Sequence, residues 1–178
     1  ASGGAEIAAV VAGLSGRRIA PGPSGAPTRG RLDVLPTGRN FYSLDPRSVP
    51  TRSAFLIGRK LADALVARYQ KDHDAAPRHV ALYWMANDIM WSDGEVMAQV
   101  LDLLACEPVW DAAHRVTGFR VVPVHELRRP RIDVTVRVSG ITRDNFPNCI
   151  ELVDEAIQAV AALDEPPEVN ALRGHVLE

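Results

Sequence analysis

Lysine is almost absent: of 20 Lys and Arg residues, only Lys60 and Lys71 are Lys. Set against 22 Asp and Glu, these cations leave a formal net charge of −2. The basic excess expected of a chain that binds nucleic acid or an anionic membrane is therefore missing. Cysteine is scarce too. Cys106 and Cys149 lie far apart, outside any CxxC or His/Cys cluster. That excludes a disulfide framework and a zinc signature, and both read as buried free thiols in apolar helical patterns. No apolar run approaches the ~20 residues of a membrane span. The start, Ala1-Ser2-Gly3-Gly4, has neither Met nor the basic-then-apolar pattern of a signal peptide. A chain with this start is expected to be processed or cut from something longer. Also missing are a GxxxxGK[ST] loop, an HExxH helix and a GxSxG elbow, the usual signals for bound phosphates, a helical zinc site and a serine nucleophile.

What is present describes an ordinary globular domain of 178 residues, 47% hydrophobic and 24% charged. A chain this long buries roughly 70% of its unfolded surface and needs no disulfide or metal to fold. The Arg excess is an ordinary outcome of a GC-rich genome; it also suits bidentate contacts to carboxylate or phosphate, where Lys is a poor substitute. A short Ala/Val-rich segment over 6–14 reads as the end of a helix. Residues 21–50 are dense in Pro and Gly and carry no helix or strand period. Loops longer than ~12–15 residues in compact domains are usually functional or disordered. This one carries Leu32, Val34, Leu35, Phe41, Tyr42 and Leu44, so it is expected to be ordered against a surface. The division expected is an extended segment over 1–50 and an α/β domain over 51–178.

Apolar residues Ala54, Ile57, Leu61, Leu65 and Tyr69 recur at helical steps and predict a helix over 51–70. A strand is predicted over 79–84, a loop over 85–94 and a helix over 95–105 with Val96, Met97, Val100, Leu101 and Leu104 on one side. A short strand follows over 108–110, then a turn around Thr117-Gly118 and an extended piece over 120–124. Ile132, Val134, Val136 and Val138 alternate with Asp133, Thr135 and Arg137, the clearest strand in the chain. A loop over 140–148, a helix over 148–163 and a helical tail over 170–178 complete the order. Strands alternating with helices imply parallel pairing. The expected fold is a small three-layer α/β sandwich with a mostly parallel, Rossmann-like sheet. Ligands of such sheets bind beyond the carboxyl ends of the strands, which selects the loops over 85–94 and 139–148.

The first loop holds Asp88, Asp93 and Glu95. Carboxylates here either cap a helix start or line an acidic crevice edge that meets a cation or a substrate proton. In the second loop, Arg143 either pairs with Asp144 or clamps a ligand carboxylate, and Asp144 or Asn148 can cap the helix that follows. Thr37-Gly38-Arg39-Asn40 reads as an anion-holding turn. The five His are scattered, with no two at metal-ligand spacing on one helix. His79 and His125 read as surface residues flanking strands. His175 and Glu178 lie one helical turn apart, a pair suited to metal handling or proton transfer or simply a surface pair.

Taken together, several motifs resemble the large porphyrin/corrin-binding subunit of cobaltochelatase. They begin with Pro21-Gly22-Pro23-Ser24-Gly25-Ala26-Pro27-Thr28-Arg29-Gly30, Asp33-Val34-Leu35-Pro36-Thr37-Gly38-Arg39-Asn40-Phe41-Tyr42-Ser43-Leu44-Asp45-Pro46-Arg47 and Val49-Pro50-Thr51. They continue with Gly94-Glu95, Ala98-Gln99-Val100-Leu101 and Arg129-Pro130-Arg131-Ile132-Asp133-Val134. Further along come Ser139-Gly140, Arg143-Asp144, Phe146-Pro147-Asn148, Leu163-Asp164-Glu165-Pro166, Asn170 and His175-Val176-Leu177-Glu178. The magnesium chelatase large subunit shares a looser version. The resemblance covers nearly the whole chain. It departs at Trp84-Met85-Ala86, where the family has Trp-Gly-Thr, and at Ile89-Met90-Trp91, whose larger side chains are expected to narrow the crevice mouth.

The resemblance implies an internal piece of a much larger cytoplasmic subunit. Its complex inserts Co²⁺, as substrate metal, into hydrogenobyrinic acid a,c-diamide in cobalamin synthesis. ATP would be used by partner subunits, an AAA+ ATPase and an integrin-like co-subunit, and the isolated piece would be inactive. Metal insertion needs groups that take up two pyrrolic protons and pass the cation, and groups that hold the macrocycle's side chains. Glu95, Asp144, His175 and Glu178 are the candidates for the first role; Arg39, Asn40, Asp88, Arg143 and Asn148 for the second. Metal ligands are not assigned. The alternatives are a magnesium chelatase piece acting on protoporphyrin IX and a non-catalytic scaffold or subunit-docking module.

Overall fold

The computed structural model describes residues 1–25, 27, 32–41 and 44–178. Of the motif residues above, Ala26, Thr28, Arg29, Gly30, Tyr42 and Ser43 lie outside the described residues. The chain separates into two compact units, Ala1–Asp45 and Pro46–Glu178.

In the first unit, α1 (Ser2–Leu14) begins earlier than its apolar run suggested and has no buried residue. The Pro/Gly segment folds back on itself. Gly22 N donates to Arg39 O at 2.8 Å, Gly25 N to Phe41 O at 3.0 Å, and Asn40 Nδ2 to Pro23 O at 2.7 Å. Thr37 Oγ1 donates to Glu6 Oε1, which ties the turn to α1. Gly38, at φ +106°, is required there, because a Cβ would sit 2.8 Å from Glu6 Cα. Of the apolar residues in this segment, Val34 is buried, whereas Leu32, Leu35 and Phe41 are exposed.

The second unit is built on a parallel pair of strands. β1 (His79–Trp84) runs beside β4 (Asp133–Val138), with His79 opposite Asp133 at one end and Trp84 opposite Val138 at the other. β2 (Cys106–Trp110) and β3 (Val116–Val121) form a separate antiparallel hairpin. The α/β class and the parallel pairing stand, but among the described residues the strands form two two-stranded sheets rather than one mostly parallel sheet. The cause is local. Asp111 Oδ1 accepts hydrogen bonds from the Ala113 and Arg115 amides, closing a side-chain-stabilised turn that pairs β2 with its immediate successor. The turn therefore falls before Thr117-Gly118, which lie within β3.

Seven α-helices are described. α2 (Arg52–His73) starts where Thr51 Oγ1 accepts the Ala54 amide and ends at Asp74 in the left-handed region. α3 (Ala86–Ser92) and α5 (Gly140–Asn145) replace the expected loops. For α5 the reason is Ser139, whose Oγ accepts the Thr142 amide. α4 (Glu95–Leu103) is buried on all sides from Met97 to Leu103, not on one face as its pattern suggested. α6 (Pro147–Ala161) opens on Pro147 without a side-chain cap, so neither Asp144 nor Asn148 caps it. α7 (Ala171–Leu177) is capped by Asn170, which accepts the Arg173 amide. Among the described residues no helix is long and apolar enough to cross a membrane.

Three contacts lock these elements. α2 meets α4 at Gly58, where a Cβ would lie 2.5 Å from Ala98 Cβ and 2.7 Å from Gln99 N. Asp88, buried in α3, caps α4 from outside: its Oδ1 accepts from Val96 N at 2.8 Å and Ser92 Oγ at 3.1 Å, its Oδ2 from Trp84 Nε1 at 3.1 Å and Met97 N at 3.2 Å. Arg131, 1% exposed, forms a two-pronged ion pair with Glu165 through Nε at 2.7 Å and Nη2 at 2.8 Å. Its remaining donors reach the carbonyls of Leu104, Ala105 and Val122.

These contacts set three expectations. Gly58→Ala should destabilise the protein by about 1–3 kcal/mol through overpacking, although Ala is the better helix former; denaturant unfolding checks this. Asp88→Asn turns a donor toward two amides or hydroxyls that now donate to it, and should cost about 1–3 kcal/mol in the same assay. The Arg131 fork holds the Glu165 carboxyl below its usual range, chiefly through the hydrogen bond. That stability is complete above the ordinary Glu value of about 4.3 and is lost as pH falls through the lower folded value. Glu165→Gln, which leaves Arg131 uncompensated, should cost about 3–5 kcal/mol near pH 7. The gap to wild type should narrow in strongly acidic buffer.

Candidate functional site

Because β1 and β4 are parallel, the second unit has two chemically distinct ends. At the carboxyl end, α3 follows β1 and α5 follows β4. Glu95 stands half-buried in the first turn of α4. Arg143 Nε donates to Asp144 Oδ1 at 2.8 Å, with both side chains exposed. That contact pulls the Asp144 carboxyl down and the Arg143 guanidinium up from their ordinary pKa values. Asn148 Nδ2 donates to the Pro46 carbonyl at 3.0 Å, bracing the start of this unit against α6. Asp88 was expected in a loop at a crevice mouth; it is buried, with both oxygens engaged by four protein donors. Of the bulky departures from the resemblance, Ile89 packs in the core, whereas Met90 and Trp91 face outward from α3. In the first unit, Arg39 is exposed and the Asn40 amide is committed to Pro23 O.

At the amino end stands a group that the sequence did not bring together. Asp133 opens β4 opposite His79, and in a parallel ladder such register partners project from the same face. α7 begins directly after the bridge between Arg131 and Asn170, which carries His175 past the start of β4. Asp133 Oδ2 lies 2.8 Å from His175 Nδ1 and 3.3 Å from His79 Nε2. The two rings meet edge to face, 5.5 Å between centroids and at 84°. His175 thus partners Asp133, and Glu178 sits exposed at the end of α7. His79 is surface-accessible as expected, yet it also contacts a buried carboxylate. Six strand residues at about 3.3 Å each separate this group from the Arg143–Asp144 end, so the two ends are about 16–20 Å apart. The nine candidate residues therefore do not form one cluster.

The signal that would have found Asp133 and His79 is pairing, not periodicity. Asp133 occupies a polar slot in an alternating strand, and only the register with β1 shows that it faces His79. The Arg-rich composition also resolves into carboxylate contacts: Asp102 alone receives Arg59, Arg128 and Arg129. Cys106 and Cys149 are buried free thiols, and burial pushes both up to about 12, so neither supplies a thiolate near neutral pH.

The same chain pattern occurs in known proteins. An uncharacterized protein, MJ1441, of Methanocaldococcus jannaschii is 58% identical over 173 residues, covering 97% of this chain and 14% of that protein. The aerobic cobaltochelatase subunit CobN of a Sinorhizobium species is 52% identical over 172 residues, covering 96% of this chain and 13% of that subunit. In structure, the catalytic subunit of cobaltochelatase from Mycobacterium tuberculosis superposes with a TM-score of 0.83 at 49% identity, over 97% of this chain and 15% of that one. This sequence thus spans about one-seventh of the relatives it matches. The model of the family described as CobN/Magnesium Chelatase matches residues 1–178, and the chain belongs to that family.

Proposed function

We propose that this chain is a stretch of the tetrapyrrole-binding subunit of a cobaltochelatase, whose complex inserts Co²⁺ into hydrogenobyrinic acid a,c-diamide. The observation that carries the reading is the 52% identity with a subunit named for that enzyme, sustained along 96% of the chain. ATP hydrolysis falls to partner subunits, an AAA+ ATPase and an integrin-like protein, in the cytoplasm. Turnover belongs to the whole assembly and not to this stretch alone.

Inserting a divalent ion into a macrocycle requires the ion to shed water while two pyrrolic protons leave. In this reading the carboxyl end of the strand pair faces the macrocycle. Arg143 exchanges Asp144 for a carboxylate or amide of the substrate, which its planar fork can hold in two-pronged fashion. Asp144, released from Arg143, becomes a proton acceptor. Glu95, in the first turn of α4, is a second acceptor. In the first unit, Arg39 is a further candidate for holding a carboxylate of the substrate, and Asn40 positions that turn through its bond to Pro23 O. Asp88 and Asn148 act as positioning residues, because their side chains fix α3, α4 and the Pro46 carbonyl. His175 and Glu178, about 16–20 Å away at the opposite end of the strands, lie too far from a macrocycle at the carboxyl end to take its pyrrolic protons.

The test uses the full-length subunit with its partners. Hydrogenobyrinic acid a,c-diamide is titrated into wild type, Arg39→Ala and Arg143→Ala, and its absorbance followed. Each variant is expected to bind about tenfold or more weakly while its circular dichroism stays unchanged. Binding as tight as wild type in both would transfer these residues to a scaffold or docking role. A preference for protoporphyrin IX over the corrinoid would transfer the protein to the magnesium branch of the family.

A further inference from the structure

We propose that His79, Asp133 and His175 form a binding site for a borderline divalent transition-metal ion of the Zn²⁺ or Co²⁺ kind, at the amino end of the β1–β4 pair. The three ligand atoms, His79 Nε2, an Asp133 carboxylate oxygen and His175 Nδ1, lie within 4.8 Å of one another. Two imidazole nitrogens and one carboxylate oxygen form a ligand set that suits such ions and not Mg²⁺ or Ca²⁺, which prefer oxygen. Three protein ligands leave a fourth tetrahedral position open to water.

The site is held in place by its surroundings. Asp133 is 5% exposed, and its amide donates to the Arg78 carbonyl at 2.9 Å. The residues just before it and just before α7 are tied together: Arg131 grips Glu165, and Asn170 Nδ2 donates to both Glu165 Oε2 and the Val160 carbonyl. Arg78 Nη2 donates to the Pro167 carbonyl, bracing the approach to α7 against the start of β1. The three ligands therefore come from three elements whose relative positions are locked, as a preformed site requires. The histidines are 58% and 62% exposed, so the ion has a path from solvent. Without metal, His175 Nδ1 and Asp133 Oδ2 share a hydrogen bond; with the ion bound at Nδ1, the neutral imidazole carries its ring proton on Nε2 instead. The interaction needs neither macrocycle nor ATP, so failure of the corrinoid titration would leave it standing.

The experiment takes the full-length protein, strips it with chelator, and titrates Zn²⁺ in competition with a chromophoric chelator. Wild type is expected to hold one equivalent that His79→Ala and His175→Ala each lose or bind about tenfold or more weakly. Both positions are solvent-exposed, and unchanged metal-free melting confirms that the variants fold. His175→Gln, which keeps the bulk of the side chain, should lose the same equivalent. Excess Mg²⁺ should not displace the ion. Equal stoichiometry and affinity in wild type and both alanine variants, or displacement by Mg²⁺, would overturn the assignment.

Discussion

The interaction on which the rest depends is the buried fork between Arg131 and Glu165. All five N–H donors of Arg131 are used, two on the carboxylate and three on the carbonyls of Leu104, Ala105 and Val122. A single side chain thus joins the end of α4, the exit of β3, the entry to β4 and the segment before α7. Ala105 sits at φ +57°, an uncommon conformation for a residue with a Cβ. It is kept there because its carbonyl also accepts the Val122 amide. Lysine, a point charge with three donors, has no geometry that fills this set. A buried ion pair is not in itself a large source of stability, since desolvation offsets most of the attraction. Its consequence is positional: without Arg131, the Glu165 charge and the carbonyls of Leu104, Ala105 and Val122 lose one shared donor together.

From that anchor the two ends of the strand pair take separate characters. The amino end is rigid. Asp133 follows Arg131 by two residues, and Asn170 both caps α7 and bonds Glu165, so the ion pair and the His–Asp–His group share one framework. The carboxyl end is built from helices whose termini are capped by Ser139 and Asp88, which leaves Arg143 and Asp144 projecting into solvent. Between them α4 fills the interior. It approaches α2 so closely at Gly58 that the helix contact is set by a missing methyl group.

Much of the fold was legible wherever a local pattern decides the outcome. The alternation ending at Val138 and the helical spacing after Pro50 each led to elements found within a few residues of where they were expected. The misses have a common cause. The spans over 85–94 and 140–148 are rich in Asn, Asp and Gly and read as loops, yet each holds a short helix: Ser139 caps α5, whereas α3 has no side-chain cap and is fixed by the buried Asp88. α4 read as one-sided because a helix buried all round differs from an amphipathic one only through its surroundings. Among the candidate residues, those chosen for loop position were found near the expected end of the strands, but Asp88 and Asn148 serve the fold's own hydrogen bonds.

By itself the sequence determined the class of the fold, the parallel pairing of its clearest strands, the absence of disulfides and the family. All of these follow from composition, periodicity and contiguous motifs. Only the tertiary structure decided that β2 pairs with β3 rather than joining the parallel strands, and that Arg131 is the hub. Only it brought His79, Asp133 and His175, separated by 54 and 42 positions in the chain, onto one carboxylate oxygen. The physical reason is that these outcomes depend on register and on which buried donors find acceptors. Both are relations between distant segments that no local pattern encodes.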